Sequence, residues 1–514
     1  MKYFLTLIQL WVGFLSICAS YPKANIWIIP SVESPQVYRN YAQTSKVHLE
    51  MARGEVEHIQ LVFPSKVNEE YRFTFDRYLK GIQISARELK KMNGYYDALV
   101  PFKNQLKCTD TLTAVWITVQ CPSRVPVGKY HQTIKIEGSK HFTIQLDYNV
   151  HHTTIPLKSS IPITVGVENR CMTEGLNDKE ADKERQRWVD FVLSYRMTPV
   201  FGTQITPERW QYEHSFSPWA WNDKRSIRLL NDRRYSCYML PFFTLSENEL
   251  ASLLCNIQKK GKLKESLFYI WDEPAYVEDY EQIKRKVNII RKYASDARIL
   301  TTFFCGPRNG PRKGDLYAVF DYLKHHIHVA TISLAPCKGN EEEVQHIRYK
   351  VPEGIDWWSY VCWQPGGNEP NFLLQMKGIQ QRAVMWRTWK NGSQGFLYWN
   401  CNIYHKRNPF TYITDMPHGD GILIYPGDIL GCKGPIASAR LERWRDGAEE
   451  MELLRLVEKN YSKEKADTLL NIVYSSPLSF IEKAHNIPFF RKELLDQLDK
   501  TIPIDYKLRI TDFI

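Results

Sequence analysis

Two periods of apolar residues divide the chain. From residue 21 to about residue 155, apolar and polar positions alternate in short runs. Thr113-Ala114-Val115-Trp116-Ile117-Thr118-Val119 is rich in β-formers, Val125-Pro126-Val127-Gly128 marks a turn, and Tyr130 to Glu137 alternates again. Several short strands joined by turn signals predict a β-sandwich. Pro156 and Pro162 bracket a linker, after which strands alternate with helices. Ser246 and Glu249 predict a capping box, and Leu250, Leu253, Leu254 and Ile257 fall on one helical face. Gly261 stands where a helix ends. The strand Leu267 to Trp271 follows, then a helix with Tyr280, Ile283, Val287 and Ile290 inward, then the strand Ile299 to Phe304.

Counted this way, the strands are Ile163–Val167, Val200–Phe201 (a weak one), Tyr238–Phe242, Leu267–Trp271, Ile299–Phe304, Val329–Leu334, Trp357–Cys362 and Phe396–Trp399. Repeated strand-then-helix units predict a parallel sheet, and eight of them predict a closed (β/α)8 barrel. Arg440 to Lys459 reads as one long helix interrupted at Gly447, and Ser462 to Leu498 as further helix broken at Pro477 and Pro488. The expected organisation is a signal peptide over 1–20, a β-sandwich over 21–155, a catalytic barrel over 160–435 and a C-terminal helical region over 436–514.

The signal-peptide expectation rests on Lys2, the mostly apolar run Tyr3 to Ile17, and the small residues Cys18-Ala19-Ser20. The run falls short of the roughly 20 apolar residues that span a bilayer, and no later segment approaches that length. The chain therefore reads as exported and without a transmembrane segment. Leu15-Ser16-Ile17-Cys18 loosely matches a lipoprotein site, although Ile17 is bulky there, so free secretion and a lipid anchor both stay open. Ten of the 11 Cys lie beyond the signal segment with no repeated spacing, which points to neither a disulfide framework nor a zinc site. Cys108 and Cys121 are near enough in sequence to pair. The formal charge of +11 is spread along the chain without a basic block, so nucleic acid is not an expected partner. Asn391-Gly392-Ser393 and Asn460-Tyr461-Ser462 are sequons that matter only in a eukaryotic host.

Chemistry is expected at the C-terminal ends of the strands. The fourth ends Tyr269-Ile270-Trp271-Asp272-Glu273-Pro274. Two carboxylates against aromatics are costly to bury without a purpose, and Pro274 biases Glu273 toward an extended backbone. A nucleophile and an acid that straddle a glycosidic bond stand about 5 Å apart on opposite sides of the anomeric carbon. Sequence neighbours do not easily do that. They fit substrate-assisted hydrolysis instead: Glu273 protonates the leaving oxygen, the substrate's own acetamido carbonyl attacks, and Asp272 holds the acetamido N–H. The charge of Asp272 and aromatic desolvation would raise the pKa of Glu273. The plainer alternative is a solvated helix N-cap.

Five stretches carry a resemblance. They are Tyr269 to Pro274, Trp357-Trp358-Ser359-Tyr360-Val361-Cys362, Gly395-Phe396-Leu397-Tyr398-Trp399-Asn400, Gly419-Asp420-Gly421 running to Gly427, and Pro435-Ile436-Ala437-Ser438-Ala439-Arg440 running into Arg445-Asp446-Gly447. In this order the chain resembles glycoside hydrolase family 123, the β-N-acetylgalactosaminidases, and the wider set of proteins sharing their catalytic domain. The resemblance implies a retaining, substrate-assisted mechanism without a cofactor. On it, Asp272 matches the residue that orients the acetamido group and Glu273 the acid/base. The substrate it implies is a glycan ending in a 2-acetamido sugar.

Other strand-end residues are candidates for binding the sugar: Tyr360, Trp363, Tyr398, Trp399 and Asn400, with core packing as the alternative for each. Trp399 would form a floor under the ring and Tyr360 would donate to the acetamido oxygen. The 15 Trp, 29 Tyr and 23 Phe suit sugar faces, and they suit β-rich cores equally. Trp210, Trp219 and Trp221 read as a lid, a distal subsite or a plain loop; Trp386 and Trp389 read as core. His325, His326 and His328 lack further ligands at metal spacing, so no metal site is expected. Asp420 and Asp446 precede glycines, which is ordinary turn chemistry. The rival functions are a glycosidase of other specificity and a non-catalytic glycan-binding surface protein.

Overall fold

The structure is a computed structural model that describes residues 26–76, 81–206, 211–404, 408–409 and 418–501. The expected signal peptide lies outside the described residues, as does Trp210.

The N-terminal region is two five-stranded sheets face to face. One runs Trp27–Pro30, Glu55–Pro64, Leu112–Cys121, Gln83–Met92, Tyr95–Pro101; the other runs Lys46–Arg53, His141–Thr154, Gly128–Glu137, Glu70–Phe75, Gln105–Lys107. In Gly128–Glu137 every second residue is buried, as a half-exposed sheet requires. Ile59, Leu61, Phe63, Ile117 and Val119 of one sheet share a core with Ile134, Ile136, Ile144 and Leu146 of the other. Leu112–Cys121 is buried on both faces. Its outer face, with Ala114 and Trp116, joins the core of the rest of the molecule.

The second region centres on a nine-stranded, nearly closed sheet. Eight strands are parallel and follow one another around it: Ile163–Glu168, Thr198–Thr206, Tyr238–Met239, Ser266–Trp271, Arg298–Phe303, Val329–Ser333, Asp356–Val361 and Phe396–Tyr398. The first and last are hydrogen-bonded, with Thr164 opposite Leu397. The ladder is open only between the second and third. There Thr198–Thr206 takes the antiparallel partner Gln211–Ser215, and Tyr238–Met239 forms an edge. The second strand, weak by its apolar content, is thus the longest of the eight at nine residues, because that hairpin extends it. The third shrinks to two.

The helices Gly378–Lys390 and Ala439–Asn460 show no amphipathic face because both are covered on nearly every side. Charges are paired where these two helices meet and where the later helix Ile487–Asp499 meets the β-rich region. Arg382 donates to both oxygens of Glu450 (2.9 and 2.6 Å) and to Asp446 (3.1 Å). Arg491 bridges to Glu55 and Glu57 of the β-rich region at 2.6 and 2.8 Å. Gly447 does not interrupt its helix. A Cβ there would stand 2.3 Å from the carbonyl oxygen of Arg382, so glycine permits the two helices to touch. Pro488 lies in the first turn of Ile487–Asp499, where its missing N–H costs nothing, and so starts a helix rather than breaking one.

Three smaller expectations change. Cys108 and Cys121 are both free and buried. The ten-residue strand Leu112–Cys121 stands between them, about 30 Å at ~3.3 Å per residue. Asn391 is buried, so its sequon is closed to modification. Trp219 is buried with its indole N–H on Asp182 at 3.0 Å, which makes it packing rather than a lid. Trp386 and Trp389 are core. Among the described residues no helix is long and apolar enough to cross a membrane, and no cluster of His, Cys, Asp or Glu could hold a metal ion.

Candidate active site

A cavity of about 500 Å³ opens at the C-terminal ends of the parallel strands. Alternation along Ser266–Trp271 explains how its wall is built. Leu267 and Tyr269 point into the ring beside Leu300, Trp358, Tyr360 and Leu397, while Phe268 and Ile270 face the helices. The chain then leaves the sheet, and Asp272 and Glu273 both line the cavity, accessible through its mouth. Neither is a helix cap. The next helix starts at Val277, and Asp279 accepts the N–H groups of Ala275 and Tyr276 at 2.8 and 2.9 Å.

One oxygen of Asp272, Oδ1, accepts two hydrogen bonds of 2.7 Å, from the hydroxyls of Tyr269 and Thr302. Thr302 Oγ1 also accepts the backbone N–H of Glu273 at 2.9 Å. A single threonine at the end of the neighbouring strand therefore ties both acidic residues to the sheet. The Glu273 backbone is not extended, contrary to what Pro274 predicts. Its φ is +44°, a region that costs a non-glycine residue about 1–3 kcal/mol and persists where surroundings over-determine it. The Thr302 bond on its N–H and the Tyr360 bond on its side chain are those surroundings.

Tyr360, buried on Asp356–Val361, donates its hydroxyl to Glu273 Oε1. Burial and the charge of Asp272 push the Glu273 carboxyl up to about 7, opposed by the Tyr360 hydrogen bond and by Arg308. Burial also raises the Tyr360 and Tyr269 hydroxyls well above the ordinary tyrosine value, which keeps both as donors.

All seven residues expected at the site line the cavity: Asp272, Glu273, Tyr360, Trp363, Tyr398, Trp399 and Asn400. Their roles differ. Trp363 is 40% exposed at the rim. Trp399 is partly buried, with its indole N–H donated to Asp420 at 3.0 Å. The Tyr398 ring packs against Phe372 and Trp444, and its hydroxyl is donated to the same Asp420 oxygen at 3.1 Å. Asn400 is buried, and its side-chain oxygen accepts the N–H of Asn402 at 2.9 Å.

Sequence reasoning missed Thr302, Phe243 and the pair Tyr212 and His214. His214 lies flat against Tyr269, ring centroids 4.4 Å apart at 11°, and burial lowers its pKa to about 4, so the ring is neutral. It sits on the antiparallel strand Gln211–Ser215, which the strand-then-helix pattern does not contain. Thr302 was findable only as the residue beside Asp272 on the neighbouring strand.

Comparison with known proteins bears on the fold and the family. The family described as Glycoside hydrolase 123, catalytic domain, matches residues 183–457, more than half of the chain. No curated protein matches the sequence. Among solved structures, a family 123 glycoside hydrolase from Clostridium perfringens, studied for glycolipid glycan hydrolysis, superposes with a TM-score of 0.63 at 13% identity. That alignment covers 95% of this chain and 100% of that one, so the fold is shared over nearly the whole length, the β-rich region included. A xyloglucanase of Bacteroides ovatus (10% identity, 79% and 98% coverage) and a β-galacturonidase of Eisenbergiella tayi (9%, 77% and 90%) align at only 0.26 and 0.34. The carboxylate pair lies inside the matched segment, at a strand end facing an aromatic-walled cavity. The chain belongs to glycoside hydrolase family 123, and its substrate is a glycan.

Proposed function

We propose that this glycosidase removes a terminal β-linked N-acetylgalactosamine, or a related 2-acetamido sugar, by substrate-assisted hydrolysis with retention. The observation that carries the reading is that two consecutive carboxylates line one cavity in different surroundings. Glu273 has a pKa raised to about 7 and Asp272 is held by two hydroxyl donors. A carboxylic acid that keeps its proton near neutrality is suited to general-acid work.

In this scheme Glu273 gives its proton to the glycosidic oxygen as the bond to the anomeric carbon breaks. The acetamido carbonyl oxygen forms the new bond to that carbon and closes an oxazolinium ring. The free oxygen of Asp272, Oδ2, accepts the acetamido N–H and offsets the positive charge. Water then adds to the anomeric carbon, giving a proton to Glu273, and the ring reopens. Two inversions at one carbon leave the configuration unchanged. Tyr360 sits where it can orient Glu273, and Trp399 offers an aromatic face to the sugar. The scheme uses no cofactor. We read the nearly closed sheet as a variant (β/α)8 barrel and the protein as exported, following its apolar N-terminal run.

The test is release of nitrophenol from an aryl β-N-acetylgalactosaminide, with the gluco epimer and an aryl galactoside lacking the acetamido group alongside. Turnover of the acetamido substrates and inhibition by a thiazoline mimic of the oxazoline are the expected results. Equal turnover of the substrate without an acetamido group would replace this reading with a glycosidase of other specificity. Glycan binding without any turnover would indicate a binding protein.

A further inference from the structure

The stretches Gly419-Asp420-Gly421 and Pro435 to Arg440 belong to the family resemblance, yet no step above uses them. Their contacts connect the N-terminal β-rich region to the aromatic wall of the cavity. Asp97 is buried on the strand Tyr95–Pro101 of that region. Its Oδ2 accepts Arg440 Nε at 3.0 Å and the Tyr425 hydroxyl at 2.6 Å, and lies 2.9 Å from Arg440 Nη2 in the same ion pair. Arg440 is fully buried in the first turn of Ala439–Asn460. Its Nη1 donates to the carbonyls of Phe372 (2.8 Å) and Gly419 (2.7 Å), and its Nη2 to the carbonyl of Ile422.

One guanidinium thus grips both ends of the turn from Gly419 to Ile422. Gly419 has φ +87°, and a Cβ on it would lie 2.6 Å from Arg440 Nη1, so the turn closes directly onto the charged group. Between the two grips stands Asp420, whose Oδ1 accepts the Trp399 indole N–H and the Tyr398 hydroxyl. The N–H of Gly421 donates to the Tyr398 hydroxyl at 3.1 Å. Gly421 also leaves space for the indole, since a Cβ there would be 2.5 Å from Trp399 Cζ2.

We propose that Asp97 is a positioning residue of the sugar site. It orients Arg440, Arg440 holds the Gly419–Ile422 turn, and Asp420 in that turn holds the indole of Trp399 at the angle that meets the sugar. The β-rich region is then part of the binding site rather than an independent module. This rests on the reading of Trp399 as the sugar-stacking face. The physical basis is the rigidity of the relay. A planar guanidinium with its donors in use has one orientation, and small displacements of a binding group cost large factors in productive binding.

The test combines one substrate-free and one kinetic measurement. In protein labelled with 5-fluorotryptophan, the fluorine resonance of Trp399 is identified by its loss in Trp399→Phe. In Asp97→Asn this resonance is expected to shift or broaden, while that of Trp271 across the cavity stays in place. With the aryl 2-acetamido glycoside, Asp97→Asn is expected to raise KM about tenfold with kcat changed less than about threefold. The effect should largely vanish in a Trp399→Phe background, the signature of coupled sites. An unmoved Trp399 resonance, or the same KM effect in both backgrounds, overturns the proposal. Should Asp97→Asn not fold, Tyr425→Phe removes one donor to Asp97, leaves the ion pair and is judged by the same resonance. A parent protein that releases no nitrophenol, yet whose Trp399 resonance responds to Asp97→Asn, would retain the relay and discard the functional reading.

Discussion

The hydroxyl of Tyr360 points at Oε1 of Glu273 from a strand three places along the parallel sheet. This hydrogen bond to the side chain of the proposed acid opposes the two effects that raise the Glu273 pKa, burial and the charge of Asp272. The acid strength of Glu273 is therefore set by residues from different strands, and each can be removed separately.

Removing the Tyr360 hydroxyl takes away a hydrogen bond that favours the anion. In Tyr360→Phe the Glu273 pKa rises further, and the basic limb of the pH–rate profile, which falls as Glu273 loses its proton near 7, moves to higher pH. kcat/KM at neutral pH is expected to drop about tenfold, ~1.4 kcal/mol, as the carboxyl loses its orientation. A pH profile of kcat/KM checks both.

Asp272→Asn has the opposite sign. The negative charge that helps raise Glu273 is gone, so the basic limb moves to lower pH. On the proposed mechanism Asp272 steadies the oxazolinium ion, so its loss should also lower kcat by about 10²–10³-fold. A profile that does not move would show that the two carboxyl groups do not sense each other.

Gly166 carries a prediction about the cavity floor. A Cβ on it would lie 1.9 Å from the backbone carbonyl oxygen of Trp399, and backbone cannot swing aside. Gly166→Ala is expected to cost about 1–3 kcal/mol in stability. It should also raise KM by displacing Trp399. Denaturant unfolding and steady-state kinetics on the same preparation test the pair.

Away from the site, Arg382 neutralises Asp446 and Glu450 inside the contact between two buried helices. Arg382→Met leaves those carboxylates without their principal cation. The expected loss is about 3–5 kcal/mol, the cost of an orphaned buried charge. Replacing an exposed pair such as Lys377 and Glu482 should change stability by less than about 1 kcal/mol. Urea unfolding of the two variants gives the comparison.

Much of this protein is legible in its sequence because local rules govern those parts. Period-two alternation marked the β-rich region, and strand-then-helix order marked the eight parallel strands. The Asp272-Glu273 pair stood out because strand ends in such sheets converge on one place. What local rules cannot contain was decided by tertiary structure. The Glu273 backbone departs from the conformation Pro274 favours because Thr302 and Tyr360, distant in sequence, hold it. Gly447 looks like a helix break and is instead the contact point of two helices. His214 enters the site on a hairpin strand that no strand-then-helix pattern predicts. Asp420 and Arg440 read as turn and helix start, and only the folded chain joins them to Asp97, 343 residues away from Arg440. Periodicity reports which face of an element is buried; which atoms meet across that face depends on packing among segments far apart in the chain.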